Sequence, residues 1–199
     1  MELSDTGVIE IITEEGISVT KYKDSEGVWT IGCGMTSTEI PDLATWPLTK
    51  TLTLNDVVLM FRAGMVPYEN AVNSNLKVSI KQCQFDALVS FTYNVGVGGE
   101  AHSTLVKVIN NKGNNTQIEN AFMMWTKNKE LVGRREREVN LYINGVYSST
   151  GFAAMIPSGK PVNIRTLLAM NTPSQKIAAD APQRSVIQKM KDFLTKRIG

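Results

Sequence analysis

Residues 15–34 carry the sequence Glu-Gly-Ile-Ser-Val-Thr-Lys-Tyr-Lys-Asp-Ser-Glu-Gly-Val-Trp-Thr-Ile-Gly-Cys-Gly. β-branched and aromatic residues lie on both sides of a polar centre that contains Asp24, a pattern that predicts a β-hairpin with its turn at residues 23–27. An Asp in such a turn most often bonds its own backbone, so the residue type alone assigns Asp24 no function. Two other polar residues nearby in the sequence support a functional interpretation, because Glu15 precedes the hairpin and Thr30 lies on its second predicted strand.

The segment before the hairpin is predicted to be a helix. Apolar residues recur at helical spacing over residues 4–15, and Gly16 follows as a C-cap. Glu15 continues the apolar stripe at the last turn, whereas Glu10 and Glu14 are predicted to face water. Taken alone, Glu15 could simply close the helix. Glycosidic bond cleavage, however, needs two carboxyl groups on separate rigid elements, and the helix end and the hairpin turn would supply them.

The same residues resemble a family signature. Glu-Gly followed by Tyr-x-Asp-x-x-Gly-x-x-Thr-Ile-Gly-x-Gly is similar to the motif of phage-type lysozymes, the endolysin muramidases. In that family the Glu, Asp and Thr are catalytic, so the resemblance implies Glu15, Asp24 and Thr30 as the catalytic set. Gly32 is expected to let the backbone approach a sugar or another segment closely. The family has a His where this chain has Met35, which puts the local packing in question.

Two further segments extend the resemblance. Residues 84–96 are similar to the family's second motif, and Asn94 near its end is implied to bond an N-acetyl or hydroxyl group of the substrate. A helix C-cap is an equal alternative for that Asn. Residues 125–138 resemble the third motif, a Trp followed by Gly-Arg-Arg-x-x-Glu, in which an Arg pairs with the catalytic Glu. Arg134 is the expected supporting residue, whereas Arg135 and the two charged residues after it are expected to form a solvated helix face.

The resemblance implies an α+β fold of the lysozyme type, with a small β-hairpin lobe, a larger helical lobe and an active-site cleft between them. The implied enzyme is a glycosidase, a lysozyme or endolysin that hydrolyses the β-1,4 bond between N-acetylmuramic acid and N-acetylglucosamine in bacterial peptidoglycan, for host cell lysis. Glu15 would protonate the leaving oxygen while Asp24 and Thr30 activate a water, the inverting arrangement, without metal or cofactor. Two alternatives stay open: a lysozyme domain of a phage particle component, and a non-catalytic peptidoglycan-binding relative.

Apolar periodicity predicts the remaining helices. They cover residues 54–72, 80–93, 103–112 and 116–126, followed by one that closes near residue 146. Pro67 is expected to kink or split the first of them. Residues 97–99 are expected to form a flexible joint, and residues 36–52 an irregular loop.

The resemblance ends near residue 147, which divides the chain. We expect a lysozyme catalytic domain at residues 1–147 and a C-terminal extension at residues 148–199. The extension is predicted to begin with a linker-like stretch to residue 161, to continue as a short helix, and to end as an amphipathic helix at residues 183–198. Five basic side chains and one acidic side chain make this last segment basic. It is expected to dock on the domain, with weak contact to a membrane or wall polymer as the alternative.

Composition narrows the remaining classes of function. A hydrophobic fraction of 42% suffices for a normal core. The net charge of +2 decides little by itself, but the excess of basic residues is confined to the C-terminal tail and no recognition motif accompanies it, which argues against nucleic-acid binding. His102 is the single histidine and the cysteines lack ligand spacing, so no zinc site is expected and Cys33 and Cys83 are predicted to be free thiols.

The expected location follows from the N-terminus and the implied substrate. From the N-terminal sequence we expect neither a signal peptide nor a membrane-spanning segment, so synthesis in the host cytoplasm is expected, followed by release and action in the periplasm or cell wall. The expected partner is peptidoglycan, and the expected state is a monomer.

Overall fold

The computed structural model describes residues 1–169, which form eight α-helices and two two-stranded antiparallel sheets. The helices are α1 Asp5–Glu15, α2 Leu54–Asn75, α3 Gln82–Val95, α4 Val97–Ala101, α5 Thr104–Asn110, α6 Asn115–Met123, α7 Val132–Asn144 and α8 Ile164–Ala169. The strands are β1 Ser18–Lys23 and β2 Trp29–Gly32 in one sheet, and β3 Phe152–Ala154 and β4 Pro161–Asn163 in the other. The predicted amphipathic helix at residues 183–198 lies outside the described residues.

Residues 1–169 divide into two compact units. Residues 1–11 and 65–150 form the helical unit, and residues 12–64 together with 151–169 form the hairpin unit. The boundaries fall inside α1 and inside α2. The combination of a mainly helical unit with a unit built on two small sheets confirms the predicted α+β class. Among these residues, no helix combines the length and apolarity that a membrane crossing requires.

Helix α1 forms where the sequence predicts it. The Ser4 hydroxyl accepts a hydrogen bond from the Gly7 backbone N–H at 3.0 Å, so Ser4 caps the first turn. Gly16 ends the helix with a φ of +75°, and its N–H donates to the Ile12 carbonyl at 3.0 Å. Val8 and Ile12 on the apolar stripe are fully buried. The amphipathic stripe and the two caps therefore suffice to place Glu15 at the last helical position.

Glu10 corrects one sequence prediction, because it does not face water. Only 8% of Glu10 is exposed. Its carboxylate accepts hydrogen bonds from the Ser148 hydroxyl at 3.0 Å and from the Ser149 backbone N–H at 2.7 Å. Burial of a carboxylate is tolerated when hydrogen bonds replace its water contacts, and here the segment after α7 supplies them.

The core of the helical unit is a chain of edge-to-face aromatic rings. Phe91 on α3 packs against Phe122 and against Trp125, in each case with 5.5 Å between ring centroids. Phe122 in turn lies 5.9 Å from Tyr142 on α7. Such pairs add about 0.5–1.5 kcal/mol each beyond the apolar area they bury. The apolar periodicity that predicted helices at residues 80–93 and 116–126 thus serves this core.

Two helix predictions differ from the structure in whole or in part. Helix α2 continues through Pro67 without splitting, because both halves of the helix bury apolar side chains that offset the one lost backbone hydrogen bond. A kink at Pro67 remains a prediction. Residues 97–101 form α4 where a flexible joint was predicted. A Cβ at Gly99 would lie 3.2 Å from Trp125 Cη2, and the buried Glu100 carboxylate accepts a hydrogen bond from Asn75 Nδ2 at 2.6 Å. These contacts fix a segment that glycine content alone makes look mobile.

The predicted linker after residue 148 also differs from the structure. Residues 152–154 and 161–163 pair as β3 and β4, with Phe152 opposite Asn163 and Ala154 opposite Pro161. Helix α8 follows, and the short helix predicted there is confirmed. Strands of three residues carry too few alternations for sequence periodicity to detect, so turn residues dominated the prediction.

Candidate active site

The first hairpin forms as predicted and sets the register of the candidate residues. Tyr22 on β1 lies opposite Thr30 on β2, and Lys23 lies opposite Trp29. The turn is closed by a hydrogen bond from the Asp24 N–H to the Val28 carbonyl at 3.0 Å. Asp24 therefore lies directly after β1, and Thr30 lies on the partner strand opposite Tyr22.

The Asp24 carboxylate stabilises the turn and also lies beside the Thr30 hydroxyl. Its Oδ1 accepts hydrogen bonds from the backbone N–H groups of Glu26 and Val28, each at 2.9 Å. Its Oδ2 lies 3.4 Å from the Thr30 hydroxyl, which is also 3.2 Å from the Val28 carbonyl. The turn thus fixes one carboxylate oxygen and presents the other beside a hydroxyl. The local interpretation and the functional one are compatible.

The negative charge of Glu15 affects the pKa values of titratable groups in and directly after this hairpin. Burial raises the pKa of Tyr22, and the negative charges of Glu15 and Asp24 raise it further. Burial also raises the pKa of the Cys33 thiol, and the charge of Glu15 adds to this effect. Glu15 itself is half-buried at the end of α1. Both candidate carboxyl groups therefore lie in the surroundings of one tyrosine within the hairpin unit.

Gly32 is required by packing inside this unit. Its φ is +67°, and a Cβ there would overlap Met35 Cε and lie 3.3 Å from Val57 Cγ1. Of the two approaches expected from the sequence, the structure contains the one to another segment. A contact between Gly32 and a sugar remains a prediction.

Met35 occupies the position at which the phage-type lysozymes, which this sequence resembles, have a His. Its side chain is fully buried, and its backbone exchanges hydrogen bonds with Ile31 at 2.9 and 3.0 Å. A flexible thioether fills an irregular apolar space without needing hydrogen-bond partners, whereas a buried imidazole would need them. The departure from the family pattern is therefore accommodated as core packing.

Lys21 is a residue that sequence reasoning missed. It is buried, and its ammonium donates hydrogen bonds to the Ala44 carbonyl at 2.8 Å and the Leu43 carbonyl at 3.4 Å. The same ammonium lies 4.2 Å from the centre of the Trp29 ring. Lys21 thereby fastens the irregular loop that contains Leu43 to both strands of the hairpin. Nothing in the alternation of Lys21 and Lys23 along β1 indicates that only the first is buried.

In the helical unit, Glu138 forms ion pairs with both arginines of the third motif. Arg134 Nε lies 3.2 Å from Glu138 Oε1, and Arg135 Nε lies 3.1 Å from Glu138 Oε2. The Ser90 hydroxyl donates to Glu138 at 2.8 Å. Burial raises the pKa of Glu138, and the charges of Arg135 and Arg134 oppose that rise. The group is a buried, charge-compensated network and not a run of surface pairs.

The prediction that Arg135 belongs to a solvated face is wrong. Arg135 is fully buried, with its guanidinium 5.0 Å from the centre of the Phe91 ring. Arg134 is buried as predicted, and Glu136 and Arg137 are exposed as predicted. The charge pattern along a helix cannot distinguish these cases, because the buried partner Glu138 lies on the same helix and produces the same spacing as a surface pair. A pairing of Arg134 with the catalytic Glu remains a prediction.

Asn94 belongs to the same network. Helix α3 is capped by Gly96, which has a φ of +80°, so the interpretation of Asn94 as a C-cap is wrong. Asn94 is exposed, and its Oδ1 accepts a hydrogen bond from Arg135 Nη2 at 2.9 Å. Its predicted role as a substrate contact stays a prediction.

The cysteines bear out the sequence prediction. Cys33 is a buried free thiol on the loop after β2, and Cys83 is a half-buried free thiol in the first turn of α3. A buried thiol behaves mainly as a small apolar group.

Comparison with known proteins relates the chain to one family. The model of the phage lysozyme family matches residues 13–138. The endolysin of Bacillus phage B103 is 30% identical over 182 residues, which cover 88% of this chain and 66% of that protein. The endolysin of Salmonella phage P22 is 31% identical over 148 residues, which cover 72% of this chain and 99% of that protein. The chain thus spans slightly less than two thirds of the Bacillus phage relative.

A solved structure shares the fold. The endolysin from Escherichia coli O157:H7 phage FAHEc1 superposes with a TM-score of 0.67 at 29% sequence identity. The match covers 75% of this chain and 98% of that one. This similarity confirms the fold class predicted from the sequence.

Proposed function

The chain belongs to the phage lysozyme family, and on that premise we propose that it is a muramidase that hydrolyses the β-1,4 bond between N-acetylmuramic acid and N-acetylglucosamine in peptidoglycan. The observation that carries the proposal is the grouping of Glu15, Asp24 and Thr30 in the hairpin unit. Both carboxyl charges act on Tyr22, and the Thr30 hydroxyl lies 3.4 Å from Asp24 Oδ2. Two carboxyl groups on separate elements are what glycosidic cleavage requires.

Glu15 is assigned the general acid. It would protonate the glycosidic oxygen as the bond to the anomeric carbon breaks, so that the leaving sugar departs as an alcohol. The end of a helix supports this role, because α1 holds the Glu15 backbone from its N-terminal side. Arg134 is proposed as a supporting residue that helps to set the charge of this site.

Asp24 and Thr30 are proposed to bind and activate the water that attacks the sugar. When the Thr30 hydroxyl donates its hydrogen bond to the Val28 carbonyl, the Thr30 oxygen can accept a hydrogen bond from one proton of a water. The other proton of this water would then donate a hydrogen bond to Asp24 Oδ2, which lies beside the Thr30 hydroxyl. This arrangement points a lone pair of the water away from the protein and lets Asp24 take the proton as the water attacks. It favours the inverting route, which needs carboxyl groups roughly 6.5–9.5 Å apart.

Substrate contacts are proposed at Gly32 and Asn94. Asn94 presents an exposed amide held from one side by Arg135, and such an amide can bond an N-acetyl group. The proposed site of action is the bacterial cell wall after release of a monomer from the host cytoplasm. Residues 148–199 are proposed as an extension that docks on a catalytic domain at residues 1–147, with weak contact of the basic tail to wall or membrane as the alternative.

The test compares Glu15→Gln with Glu14→Gln. Both residues are half-buried in the last turn of α1, so the two variants carry matched changes one position apart. Glu15→Gln should lower the clearing rate of purified peptidoglycan by at least ~10²-fold at unchanged melting temperature, while Glu14→Gln stays near wild type. Equal activity of the two variants would refute the acid assignment.

Product analysis tests the bond that is cleaved. Borohydride reduction of the digest should convert the muramic acid residues at the new reducing ends to their sugar alcohol, which is identified after acid hydrolysis. Reduced glucosamine, or newly freed amino groups, would instead identify a glucosaminidase or an amidase. Proton NMR of the first-formed anomer distinguishes the inverting from the retaining route.

A further inference from the structure

The backbone directly after Glu15 is bound by the C-terminal hairpin, which we define as residues 152–163. The Ile17 N–H donates to the Ala154 carbonyl at 2.9 Å, and the Ile17 carbonyl accepts from the Ile156 N–H at 2.8 Å. Ile17 and Met155 form an isolated parallel bridge. Both polar backbone groups of Ile17 are therefore satisfied by a segment far away in the sequence.

Gly16, between Glu15 and Ile17, is enclosed by the same hairpin. A Cβ at Gly16 would lie 3.0 Å from the Ala154 carbonyl oxygen and 3.2 Å from Ile156 Cδ1. On the next residue, the Ser18 hydroxyl lies 3.3 Å from the Ile156 carbonyl. Three consecutive residues after Glu15 thus contact residues 154–156.

The C-terminal hairpin is itself ordered by its own hydrogen bonds. Met155 N–H donates to the Lys160 carbonyl at 2.8 Å, and Gly159 N–H donates to the Met155 carbonyl at 2.7 Å. Ala153 is 2% exposed, and Ile164 at the start of α8 is fully buried. The hairpin can therefore hold the turn at residues 16–18 in one place.

Such support matters because Glu15 is the last residue of its helix. Helix ends fray, and a following glycine in the left-handed region adds conformational freedom. The helix fixes Glu15 only from its N-terminal side, so its C-terminal side depends on whatever fixes Ile17. A misplacement of about 1 Å at a reacting group can cost 10²-fold in rate.

We propose that the C-terminal hairpin is a positioning element for Glu15, with Ile156 as its principal side chain. This inference rests on the proposed function, since it assigns a role relative to the general acid. It gives residues 152–163 a part in the reaction although the family model ends at residue 138. Ile156 acts through the Gly16–Ile17 backbone and touches no reacting atom.

The test compares Ile156→Ala with Val162→Ala. Val162 lies on β4 of the same hairpin and, like Ile156, is half-buried. Initial rates on solubilised peptidoglycan give kcat and KM for each protein. Ile156→Ala should lower kcat about tenfold or more while KM changes less than about threefold. Val162→Ala should change kcat less than about twofold, and Ile156→Val should recover most of the lost rate.

Amide hydrogen exchange supplies a readout that does not depend on activity. The Ile17 amide should be protected in the wild type and should exchange faster in Ile156→Ala, while the Thr30 amide keeps its protection. Should Ile156→Ala not fold, Ile156→Val and the wild-type exchange carry the test. A wild-type Ile17 amide that exchanges as fast as that of the exposed Leu48 would overturn the proposal.

The outcomes separate this inference from the proposed function. A wild-type protein that leaves purified peptidoglycan intact refutes the muramidase assignment, whereas the exchange pattern still reports on the anchoring of Ile17. An active wild type with unchanged kcat in Ile156→Ala, or with equal kcat losses in Ile156→Ala and Val162→Ala, overturns the positioning role. An equal loss would mean that the hairpin only stabilises the fold.

Discussion

Replacing Arg135 with Met should destabilise the protein strongly, and the loss should depend on pH. Arg135 is fully buried and Glu138 is 4% exposed, with 3.1 Å between Arg135 Nε and Glu138 Oε2. Methionine keeps much of the volume and removes the charge. Loss of one partner of a buried ion pair typically costs 3–5 kcal/mol, because the other charge is left without compensation.

The structure places the expected loss at the lower end of that range. Glu138 keeps Arg134 at 3.2 Å and the Ser90 hydroxyl at 2.8 Å when Arg135 is removed. We therefore expect a loss of about 3 kcal/mol in the free energy of unfolding at neutral pH. At about 2–4 °C for each kcal/mol, the melting temperature should fall by about 6–12 °C.

The sign of the pH dependence follows from Glu138. Burial raises its pKa, and Arg135 contributes to holding it down. Without Arg135 the pKa in the folded state rises further, so the folded variant binds a proton that the unfolded chain releases. Stability linked to a raised carboxyl pKa is present at low pH and is lost as pH rises. The difference between wild type and Arg135→Met should therefore be larger at pH 8 than at pH 5.

Urea unfolding at both pH values, followed by circular dichroism, measures this difference. Arg135→Met combined with Arg134→Met and Glu138→Leu is the matched control, because replacing all three charges leaves neither a carboxylate nor a guanidinium without its partner. The triple variant should be more stable than Arg135→Met alone. A loss below about 1 kcal/mol for Arg135→Met, or a loss that does not depend on pH, would refute the account of this network.

Three further predictions concern other sites. Asp24→Asn and Thr30→Val should each lower kcat more than they raise KM, because both residues are assigned to the water and not to the sugar chain; steady-state rates on solubilised peptidoglycan decide, and a pure KM effect would remove them from the catalytic set. Glu100→Gln should gain stability over the wild type as pH rises, because burial raises the pKa of Glu100 and the ionised form is the costly one; melting curves from acidic to alkaline pH measure the trend, and a gain at low pH would contradict it. Gly32→Ala should lower the free energy of unfolding by about 2 kcal/mol through overlap with Met35 and backbone strain. Urea titration of Gly32→Ala, Met35→Ala and the double variant forms a mutant cycle that subtracts the cavity cost of Met35→Ala, and the cost of Gly32→Ala should be smaller when Met35 is truncated.

Short-range patterns in the sequence were enough for the first helix and the first hairpin. The stripe of α1, its Ser4 and Gly16 caps, and the turn around Asp24 all depend on residues within a few positions of one another. The spacing of Glu15, Asp24 and Thr30 is local in the same sense. For that reason their grouping as a candidate set could be proposed before any tertiary contact was known.

Tertiary structure decided where the partner lies far away in the chain. Glu10 looked solvated until Ser148 and Ser149 were seen to bond its carboxylate. Arg135 looked like part of a charged surface, and its burial depends on Phe91 and Asn94 from another helix.

The C-terminal hairpin is the clearest case of what the sequence left open. Its strands have three residues each, too short for alternation to register, and its binding to Ile17 uses backbone groups that carry no residue-specific signal. Side-chain periodicity reports which face of an element is buried, not which distant segment buries it. The sequence by itself therefore determined the catalytic candidates and the elements that carry them. Only the packing of residues distant in sequence decided how the helix end at Glu15 is held, because backbone hydrogen bonds between segments depend on geometry rather than on residue type.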